Sequence, residues 1–351
     1  MNNTFKFLTL GALVVISIYF FGCSSNNPLV PVRIISTKGA YILSEGTMSS
    51  PGKLSFYSSV KDTFYQSIYS NGVLGLYPDG MIFSGDNLFI TEQGNFGGPG
   101  ELHKLDTNGA VTLSSNPFGT NPYSAAVANN KIYVTNGPAS AVSVLDANSL
   151  SLIKTINVGV YPQEILAIGS KVFVANQSLF SGGQDSTISV IDAVHDSVVA
   201  TIVVRKNPSS LAVTSDGKLL VGCPGPSNII YKIDVSSYSK LDSMTSNEGF
   251  ISDISVDINS TAVYFIGGLN FSGDRIIKLD LTSKTFTTII NANSGSTFYG
   301  YCFDPDNKKH YVLDAFNFSV DGKAYIYDIS NTLQRTFSTG VGPRRVVIRK
   351  D

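Results

Sequence analysis

A short β-type segment recurs along almost the whole chain and constrains its fold more than any other feature. Each copy has an aromatic or large aliphatic residue, then branched apolar residues and then small or polar ones, as expected of a strand that runs into a loop. The seven copies begin at Tyr41, Phe89, Tyr133, Phe173, Leu220, Tyr264 and Tyr311. Their spacings of 48, 44, 40, 47, 44 and 47 residues match the length of a four-stranded propeller blade and exceed those of ankyrin and leucine-rich repeats.

A second marker repeats in phase with the first. After every copy from the second onward, an apolar strand ends in an aspartate: Asp106, Asp146, Asp192, Asp234, Asp280 and Asp328. An aspartate in that place can accept hydrogen bonds from the backbone amides just ahead of it and close a turn. We therefore expect each of these strands to turn directly into the next strand.

Most of the predicted inner strands follow a proline. These prolines are Pro78, Pro122, Pro162, Pro208 and Pro343, whereas Phe250-Ile251 and Phe298-Tyr299 take that place in the sixth and seventh repeats. Proline fixes φ and lacks an amide donor, so it suits the first residue of a strand, where no ladder bond is needed.

The first repeat lacks an inner strand at its start. Its second strand contains Tyr41, and segments 53–57 and 63–68 follow as its third and fourth strands. At the other end of the chain, segment 344–350 follows a Gly-Pro pair just as the inner strand of the third repeat follows an Asn-Pro pair. The sequence therefore predicts an all-β, seven-bladed β-propeller of four-stranded antiparallel blades over residues 38–351, in which the last strand completes the first blade and closes the ring.

The N-terminal segment has the pattern of an export signal. One lysine near the start precedes the almost wholly apolar segment 7–21, which is short for a membrane span and ends before Gly22-Cys23. A cysteine after a small residue at this point resembles a bacterial lipobox, which implies cleavage before Cys23 and acylation of its thiol. We predict a lipoprotein signal peptide over residues 1–22 and an acylated cysteine with a tether over residues 23–37; an uncleaved anchor and ordinary secretion are the alternatives.

Composition narrows the classes of function. A net charge of −1 and a charged fraction of 15% do not support a nucleic-acid surface or a polybasic membrane patch, so we expect no nucleic-acid partner and membrane attachment only by the lipid. The chain contains no tryptophan and so lacks the WD dipeptide and the Trp-marked repeats of quinoprotein dehydrogenases. Beyond Cys23, the cysteines Cys223 and Cys302 fall in non-adjacent repeats, and we predict that both are free.

The chemical inventory argues against catalysis. The three histidines, His103, His195 and His310, stand in different repeats, and none is beside a cysteine or carboxylate at metal-ligand spacing. The sequence contains no GxSxG elbow, HExxH helix, phosphate-binding Walker loop or dinucleotide-binding glycine motif. We predict a protein that is not an enzyme and that carries no cofactor or resident metal.

Two groups of residues carry a resemblance to known families. The literal YVTN at residues 133–136, with Asn-Pro before the repeat and VSVLD closing it, resembles the YVTN-type seven-bladed propeller repeat. The segments YILSEG at 41–46 and GKLSFY at 52–57 are similar to the opening blade of propeller lipoproteins from Bacteroidetes-type bacteria. Some members of that group sit on outer-membrane transporters and capture corrinoids such as vitamin B12. The resemblance therefore implies a surface-exposed lipoprotein of the outer membrane, with a small-molecule ligand of the corrinoid kind and an outer-membrane transporter as partners.

The repeat pattern also predicts where a ligand would bind. In propellers, the loops from fourth to first strands and from second to third strands share one face around the axis, where concave mouths are found. The ends of second strands would place Glu45, Gln93, Asn136, Asn176 and Asp314 there, and the starts of inner strands would add Tyr123, Tyr161, Tyr299 and Arg344. Aromatic faces with amides and one arginine suit a bulky, neutral, amide-bearing ligand. The same residues also suit a purely structural role, since polar strand ends and interblade tyrosines are common in propellers.

Three hypotheses of function remain. The leading one is a lipid-anchored, non-enzymatic binding protein of the bacterial envelope that captures a small ligand at the propeller mouth for an outer-membrane transporter. The second is a scaffold for protein–protein interactions, which uses the same face or the glycine-rich loops that carry Phe96, Phe180 and Phe271. The third is a metal-dependent, lactonase-like hydrolase, for which Glu45, Asn136 and Asp314 are the plausible ligand set.

Overall fold

The computed structural model describes residues 38–69, 74–177, 185–269 and 272–349. These residues form 28 β-strands and no helix, and accordingly they include no helix that could span a bilayer. The predicted signal peptide, the acylated Cys23 and the tether lie outside the described residues.

The strands form seven sheets of four antiparallel strands each, so the predicted seven blades are confirmed. In every blade the first-named strand lies innermost and the last-named strand lies outermost. Blade 1 contains β28 (Pro343–Arg349), β1 (Gly39–Ser44), β2 (Lys53–Ser58) and β3 (Thr63–Tyr65). Blade 2 contains β4 (Pro78–Ser84), β5 (Asn87–Glu92), β6 (Glu101–Leu105) and β7 (Val111–Ser114). Blade 3 contains β8 (Pro122–Ala128), β9 (Lys131–Asn136), β10 (Ala141–Asp146) and β11 (Leu152–Asn157).

The remaining four blades follow the same order. Blade 4 contains β12 (Pro162–Ile168), β13 (Lys171–Asn176), β14 (Thr187–Asp192) and β15 (Ser197–Val203). Blade 5 contains β16 (Ser210–Val213), β17 (Leu219–Cys223), β18 (Ile229–Ile233) and β19 (Lys240–Thr245). Blade 6 contains β20 (Ser252–Val256), β21 (Ala262–Gly267), β22 (Arg275–Asp280) and β23 (Phe286–Asn291). Blade 7 contains β24 (Phe298–Asp304), β25 (Lys309–Asp314), β26 (Asp321–Asp328) and β27 (Leu333–Val341).

The last strand closes the ring, as predicted. Strand β28 pairs antiparallel with β1, with Ile348 opposite Ala40 and Val346 opposite Ile42. The register shifts at the end of the pair, between Leu43 and Ser44. Closure occupies one edge of β1 that would otherwise be open to another chain.

The hydrophobic core lies between the blades. Buried apolar side chains form seven clusters, and each cluster joins two neighbouring blades, including blade 7 with blade 1. In all seven, the residue that marks the sequence repeat packs against the following blade; Tyr133, for example, lies in one cluster with Ile165 and Val172. The marker therefore recurs because every interface needs one large apolar side chain at the same place. Cys223 and Cys302 lie in different interfaces and do not form a disulfide with each other, as predicted.

The aspartates that end the third strands close the turns that follow. The Asp146 carboxylate accepts the amide N–H groups of Asn148 (3.0 Å) and Ser149 (2.8 Å). The other five aspartates also accept at least one amide just ahead of them. The predicted turn chemistry is confirmed.

Polar bonds join neighbouring blades close to the axis. The Thr135 hydroxyl, in the second strand of blade 3, accepts the Ser124 amide (3.1 Å) and donates to the Gln163 carbonyl of blade 4 (2.7 Å). Thr91 makes the equivalent link between blades 2 and 3, from the Gly80 amide to the Tyr123 carbonyl. The backbones of Gly80 and Tyr123 lie close together, because a Cβ at Gly80 would lie 2.4 Å from the Tyr123 carbonyl oxygen.

We expect Thr135→Val to lower the free energy of unfolding by about 1–2 kcal/mol, because it removes the hydrogen-bond partner of a buried amide and of a carbonyl. Thr135→Ser keeps the hydroxyl and is the matched control. Urea unfolding followed by circular dichroism measures both variants. Equal losses in the two variants would contradict a role for the hydroxyl.

Candidate functional site

A cavity of about 550 Å³ opens at one end of the propeller axis. The residue after each inner-strand proline lines it, and blades 6 and 7 contribute a residue from the start of their own inner strands. The set is Asp79, Tyr123, Gln163, Ser209, Ser252, Tyr299 and Arg344. All seven blades therefore contribute to one wall. The volume lies within the range of small-molecule sites.

An unusual backbone conformation precedes these wall residues. The residue before each inner-strand proline has a positive φ: Tyr77 (53°), Asn121 (43°), Tyr161 (50°), Asn207 (55°) and Gly342 (60°). This region is disfavoured for bulky residues such as tyrosine, and such strain concentrates at binding sites. The turn leads into the inner strand, whose next residue lines the cavity.

Aromatic rings form much of the wall. The hydroxyl oxygens of Tyr123 and Tyr161 lie 3.0 Å apart and share a hydrogen bond. The Tyr299 hydroxyl donates to the Glu45 carboxyl group at 3.0 Å, and the Arg344 guanidinium lies 5.3 Å from the centre of the Tyr299 ring. These rings offer flat apolar faces, and their hydroxyl groups already form hydrogen bonds within the protein.

A network of charged side chains forms the polar part of the wall. Arg345 Nη2 lies 2.6 Å from Glu164 Oε1, and its Nε lies 3.3 Å from Asp79 Oδ1. Arg344 Nη1 lies 3.2 Å from Asp253 Oδ2, and its Nη2 lies 3.5 Å from Glu164 Oε1. The two arginines come from β28 of blade 1, whereas their partners belong to blades 2, 4 and 6, so the network spans the axis.

The network sets the protonation of its acids. Burial would raise the pKa of Glu164, but the guanidinium groups of Arg345 and Arg344 outweigh it and lower the pKa. Burial raises the pKa of Asp253 above its usual range, although both arginines oppose the shift. Burial, reinforced by the Asp79 carboxylate, raises the pKa of Glu45 to about 8. At neutral pH Glu45 is therefore mainly protonated and can donate a hydrogen bond into the cavity.

Five of the nine predicted ligand-binding residues line this cavity: Glu45, Gln93, Tyr123, Tyr299 and Arg344. Tyr161 stands beside Tyr123 and bonds its hydroxyl, but it is itself only 5% exposed. Their role in ligand binding stays a prediction.

The other three predicted residues are fully buried within their own blades. The Asn136 amide donates to the Ser143 hydroxyl (3.0 Å), and the Asn176 amide donates to the Ser189 hydroxyl (3.0 Å). The Asp314 carboxylate accepts the amides of residues 297 (2.8 Å) and 316 (2.9 Å). Glu45, Asn136 and Asp314, the set considered for a hydrolase, therefore do not meet in the cavity.

Sequence reasoning missed Asp79, Glu164, Asp253 and Arg345. Each lies one or two residues after an inner-strand proline or its equivalent, so the spacing itself was available as a signal. The structure uses the space near the axis for long side chains of opposite charge, which attract one another across it.

One predicted aromatic loop also reaches the cavity. Phe96 lines it and is 85% exposed. The Asn121 side chain holds this loop, because it accepts the Gly97 amide (2.6 Å) and donates to the Asn95 carbonyl (3.0 Å). Phe180 and Phe271 lie outside the described residues.

One further cluster has the composition of a cation site. Ligand atoms of Glu92, Glu101 and His103 lie within 4.8 Å of one another. The Glu92 carboxylate already bonds His103 Nε2 (3.2 Å) and accepts the Leu76 amide (2.9 Å), while the Ser114 hydroxyl bonds the other ring nitrogen (2.8 Å). These bonds account for the cluster without an ion.

We expect Arg345→Met to lower the free energy of unfolding by about 2 kcal/mol, because Glu164 loses its shortest ionic contact in a partly dry site. Adding Glu164→Gln should recover part of the loss. Arg335→Met is the control, since the ion pair between Arg335 and Asp62 is nearly half exposed on both sides and should contribute little. If the double variant lost as much free energy of unfolding as the two single variants together, the coupling between Arg345 and Glu164 would be contradicted.

We expect Glu45 to make stability depend on pH. Because its pKa rises from 4.5 to about 8 on folding, the folded protein keeps a proton that the unfolded chain loses in this window, so stability falls as pH rises. Glu45→Gln removes this dependence and should be about 4 kcal/mol more stable than the unmodified protein at pH 8, with little difference near pH 4.5. Urea unfolding at a series of pH values measures the effect, and parallel profiles of the two proteins would contradict it.

Comparisons with solved structures agree with the fold. A quinonprotein alcohol dehydrogenase-like protein from Bacteroides thetaiotaomicron superposes with a TM-score of 0.68 at 15% identity, over 89% of this chain and 78% of that one. A candidate 6-phosphogluconolactonase from Bacteroides fragilis gives a TM-score of 0.69 at 14% identity, over 91% of this chain and 99% of that one. Kuenenia stuttgartiensis hydrazine synthase superposes with a TM-score of 0.65 at 18% identity, over 76% of this chain and 88% of that one. At these identities the likeness establishes the fold alone.

Sequence comparison adds the family. A search of curated proteins finds no significant match. A family model described as "Domain of unknown function (DUF5074)" matches residues 38–333, from the start of the first blade into the outer strand of the last. The chain therefore belongs to the DUF5074 family.

Proposed function

We propose that this chain is a non-enzymatic binding protein that captures a small ligand in the axial cavity. The observation that carries the proposal is the cavity itself, which has a volume of about 550 Å³ and combines aromatic faces with side-chain amides. Concave sites with apolar walls and a few convergent polar groups are the usual form of small-molecule sites.

The electrostatics of the cavity support a ligand without strong net charge. The positive groups, Arg344 and Arg345, already face carboxylates at 2.6–3.9 Å. A charged ligand would have to displace these contacts and leave a buried partner unpaired. Gln93, Gln163 and the protonated Glu45 remain as neutral polar groups along the wall.

We extend the proposal to the cell envelope. In this proposal Cys23 carries the lipid, the propeller faces outward from the outer membrane, and an outer-membrane transporter receives the ligand. A corrinoid is the ligand that the resemblance of the first blade implies, and its many side-chain amides would suit Gln93 and Gln163. Because a corrinoid is larger than a drug-sized molecule, it would enter this cavity by one edge.

A scaffold for another envelope protein is the second candidate function. Phe96 and Leu269 are 85% and 72% exposed and belong to loops between second and third strands, on the same face as the cavity. Exposed apolar side chains around a concave surface are also typical of protein interfaces.

A panel of ligands tests the proposal. Protein that lacks residues 1–23 is screened by thermal shift and calorimetry against corrinoids, haem, siderophores, sugars and divalent metals, with cyanocobalamin as the first probe. A ligand that binds only the folded protein raises its melting temperature. We expect saturable binding that Tyr123→Leu weakens about tenfold, because this ring forms part of the wall.

Tyr65→Leu, in the outermost strand of blade 1, is the matched control and should leave binding unchanged. If no ligand of the panel binds, the scaffold becomes the leading proposal, and a pull-down from envelope extracts tests it. Metal-dependent hydrolysis of a lactone by the protein would overturn the non-enzymatic assignment.

A further inference from the structure

One side-chain amide in the wall of the axial cavity is uncommitted. Gln163, near the start of β12, lines the cavity and is partly exposed. Its backbone is fixed, since its carbonyl accepts the Thr135 hydroxyl (2.7 Å). Its side-chain amide has no hydrogen-bond partner among the described residues. An amide presents a donor and an acceptor side by side, so a ligand group that both donates and accepts can bind it.

The next residue, Glu164, makes one tight and one loose contact with the two arginines. Two nitrogen atoms of Arg345 bond the two Glu164 oxygens, at 2.6 and 3.3 Å. Arg344 Nη2 lies 3.5 Å from Glu164 Oε1, and Arg344 Nε lies 3.9 Å from Asp79 Oδ1. Both separations exceed an ordinary N–H···O bond. The side chains of Arg344 and Glu164 are 16% and 18% exposed and line the cavity, so Arg344 has donors and Glu164 has lone pairs for a ligand.

A hydroxyl group is the ligand group that suits this polar wall. It donates one hydrogen bond and accepts others, so a single hydroxyl can donate to the Glu164 carboxylate and accept from the Arg344 guanidinium. Because it carries no charge, it leaves the ion pairs of the wall in place. A ligand with several neighbouring hydroxyl groups can bridge this pair and bond Gln163 as well.

Phe96 adds an aromatic face at the mouth of the same cavity. Its ring lines the cavity and is 85% exposed. The Asn121 side chain holds the loop on both sides of Phe96, through the Gly97 amide and the Asn95 carbonyl, so the ring is in place before a ligand arrives. A sugar ring has C–H groups on its faces and hydroxyl groups around its edge. It therefore matches both an aromatic face and a polar wall.

We propose that the ligand of the axial cavity is an uncharged carbohydrate. One sugar ring packs against Phe96 at the mouth, and a second ring lies deeper, where its hydroxyl groups bond Gln163 and bridge Glu164 and Arg344. The volume of about 550 Å³ suits a ligand of this size. This proposal rests on ligand capture in the axial cavity, and it adds the chemical class of the ligand.

Five uncharged disaccharides test the class of ligand: maltose, cellobiose, lactose, mannobiose and N,N′-diacetylchitobiose. We expect calorimetry on the full chain to show saturable binding of at least one of them, with a dissociation constant of about 1 mM or lower. The uronic acid derivative of the sugar that binds should bind at least about tenfold more weakly, because its carboxylate would meet the acids of the wall. Tighter binding of the uronic acid, or binding of none of the five sugars, would overturn the proposal.

Gln163→Leu tests the polar contact. It should weaken binding of the sugar about tenfold, because the ligand loses its hydrogen bonds to the amide. The melting temperature of the free protein should stay unchanged, since the amide bonds no other described residue. Gln334→Leu, in the outermost strand β27 of blade 7, is the matched control and should bind the sugar as the unmodified protein does.

Phe96→Ala tests the aromatic contact. The ring is exposed, so the variant should fold, and it should weaken binding of the sugar about fivefold because one face of the sugar loses its packing surface. Val199→Ala, which is 47% exposed in the outermost strand β15 of blade 4, is the matched control. Equal affinity of Phe96→Ala and Val199→Ala would overturn the role of Phe96 in sugar binding.

The outcomes separate this inference from the proposed function. If a sugar binds but Gln163→Leu and Gln334→Leu bind it equally well, the sugar does not occupy the proposed site and the inference is wrong. If none of the five sugars binds but a ligand of the wider panel does so in a Tyr123-dependent way, ligand capture stands and the carbohydrate is wrong. If neither the sugars nor the panel bind, both proposals fail.

Discussion

The strand that closes the ring also supplies the charges on which the axial site depends. Strand β28 pairs with β1 over most of its length and brings Arg344 and Arg345 to the axis. The two guanidinium groups reach acids of blades 2, 4 and 6. The same strand thus closes the ring by backbone hydrogen bonds to β1 and forms ionic contacts across the axis. Buried charges need such partners, because an isolated one would be costly to remove from water.

This arrangement follows from where the propeller places its hydrophobic core. The seven apolar clusters lie between blades, so the large repeated side chains such as Tyr133 face a neighbouring sheet rather than the axis. The axis is left to the first residues of the inner strands. In five blades those residues follow turns with positive φ, and the residue type varies from blade to blade. Variation at equivalent positions of a regular scaffold is how such a fold carries a specific site.

Much of this protein could be predicted from its sequence. Blade number, strand order and closure follow from the marker residues and the missing strand of the first repeat, since each repeat contacts only its neighbours. The wall residues Tyr123, Tyr299 and Arg344 follow from the same spacing. Asn136, Asn176 and Asp314 stand three residues after their repeat markers, whereas Glu45 and Gln93 stand four residues after theirs. The three residues bond groups within their own blades or the adjoining loops. A difference of one residue along a strand turns a side chain to the opposite face, so polar residues near the same strand end do not share one environment.

The sequence by itself determined the seven-bladed ring, its closure and its turns, because these depend on local periodicity and on contacts between successive repeats. Only the tertiary structure decided which side chains meet. Asp79, Glu164, Asp253 and the two arginines come from four blades, and Glu164 is separated from Arg345 by 181 residues. Their pairing arises from distances across the axis, and the raised pKa of Glu45 arises from its burial and from Asp79 of another blade; no repeat period encodes either.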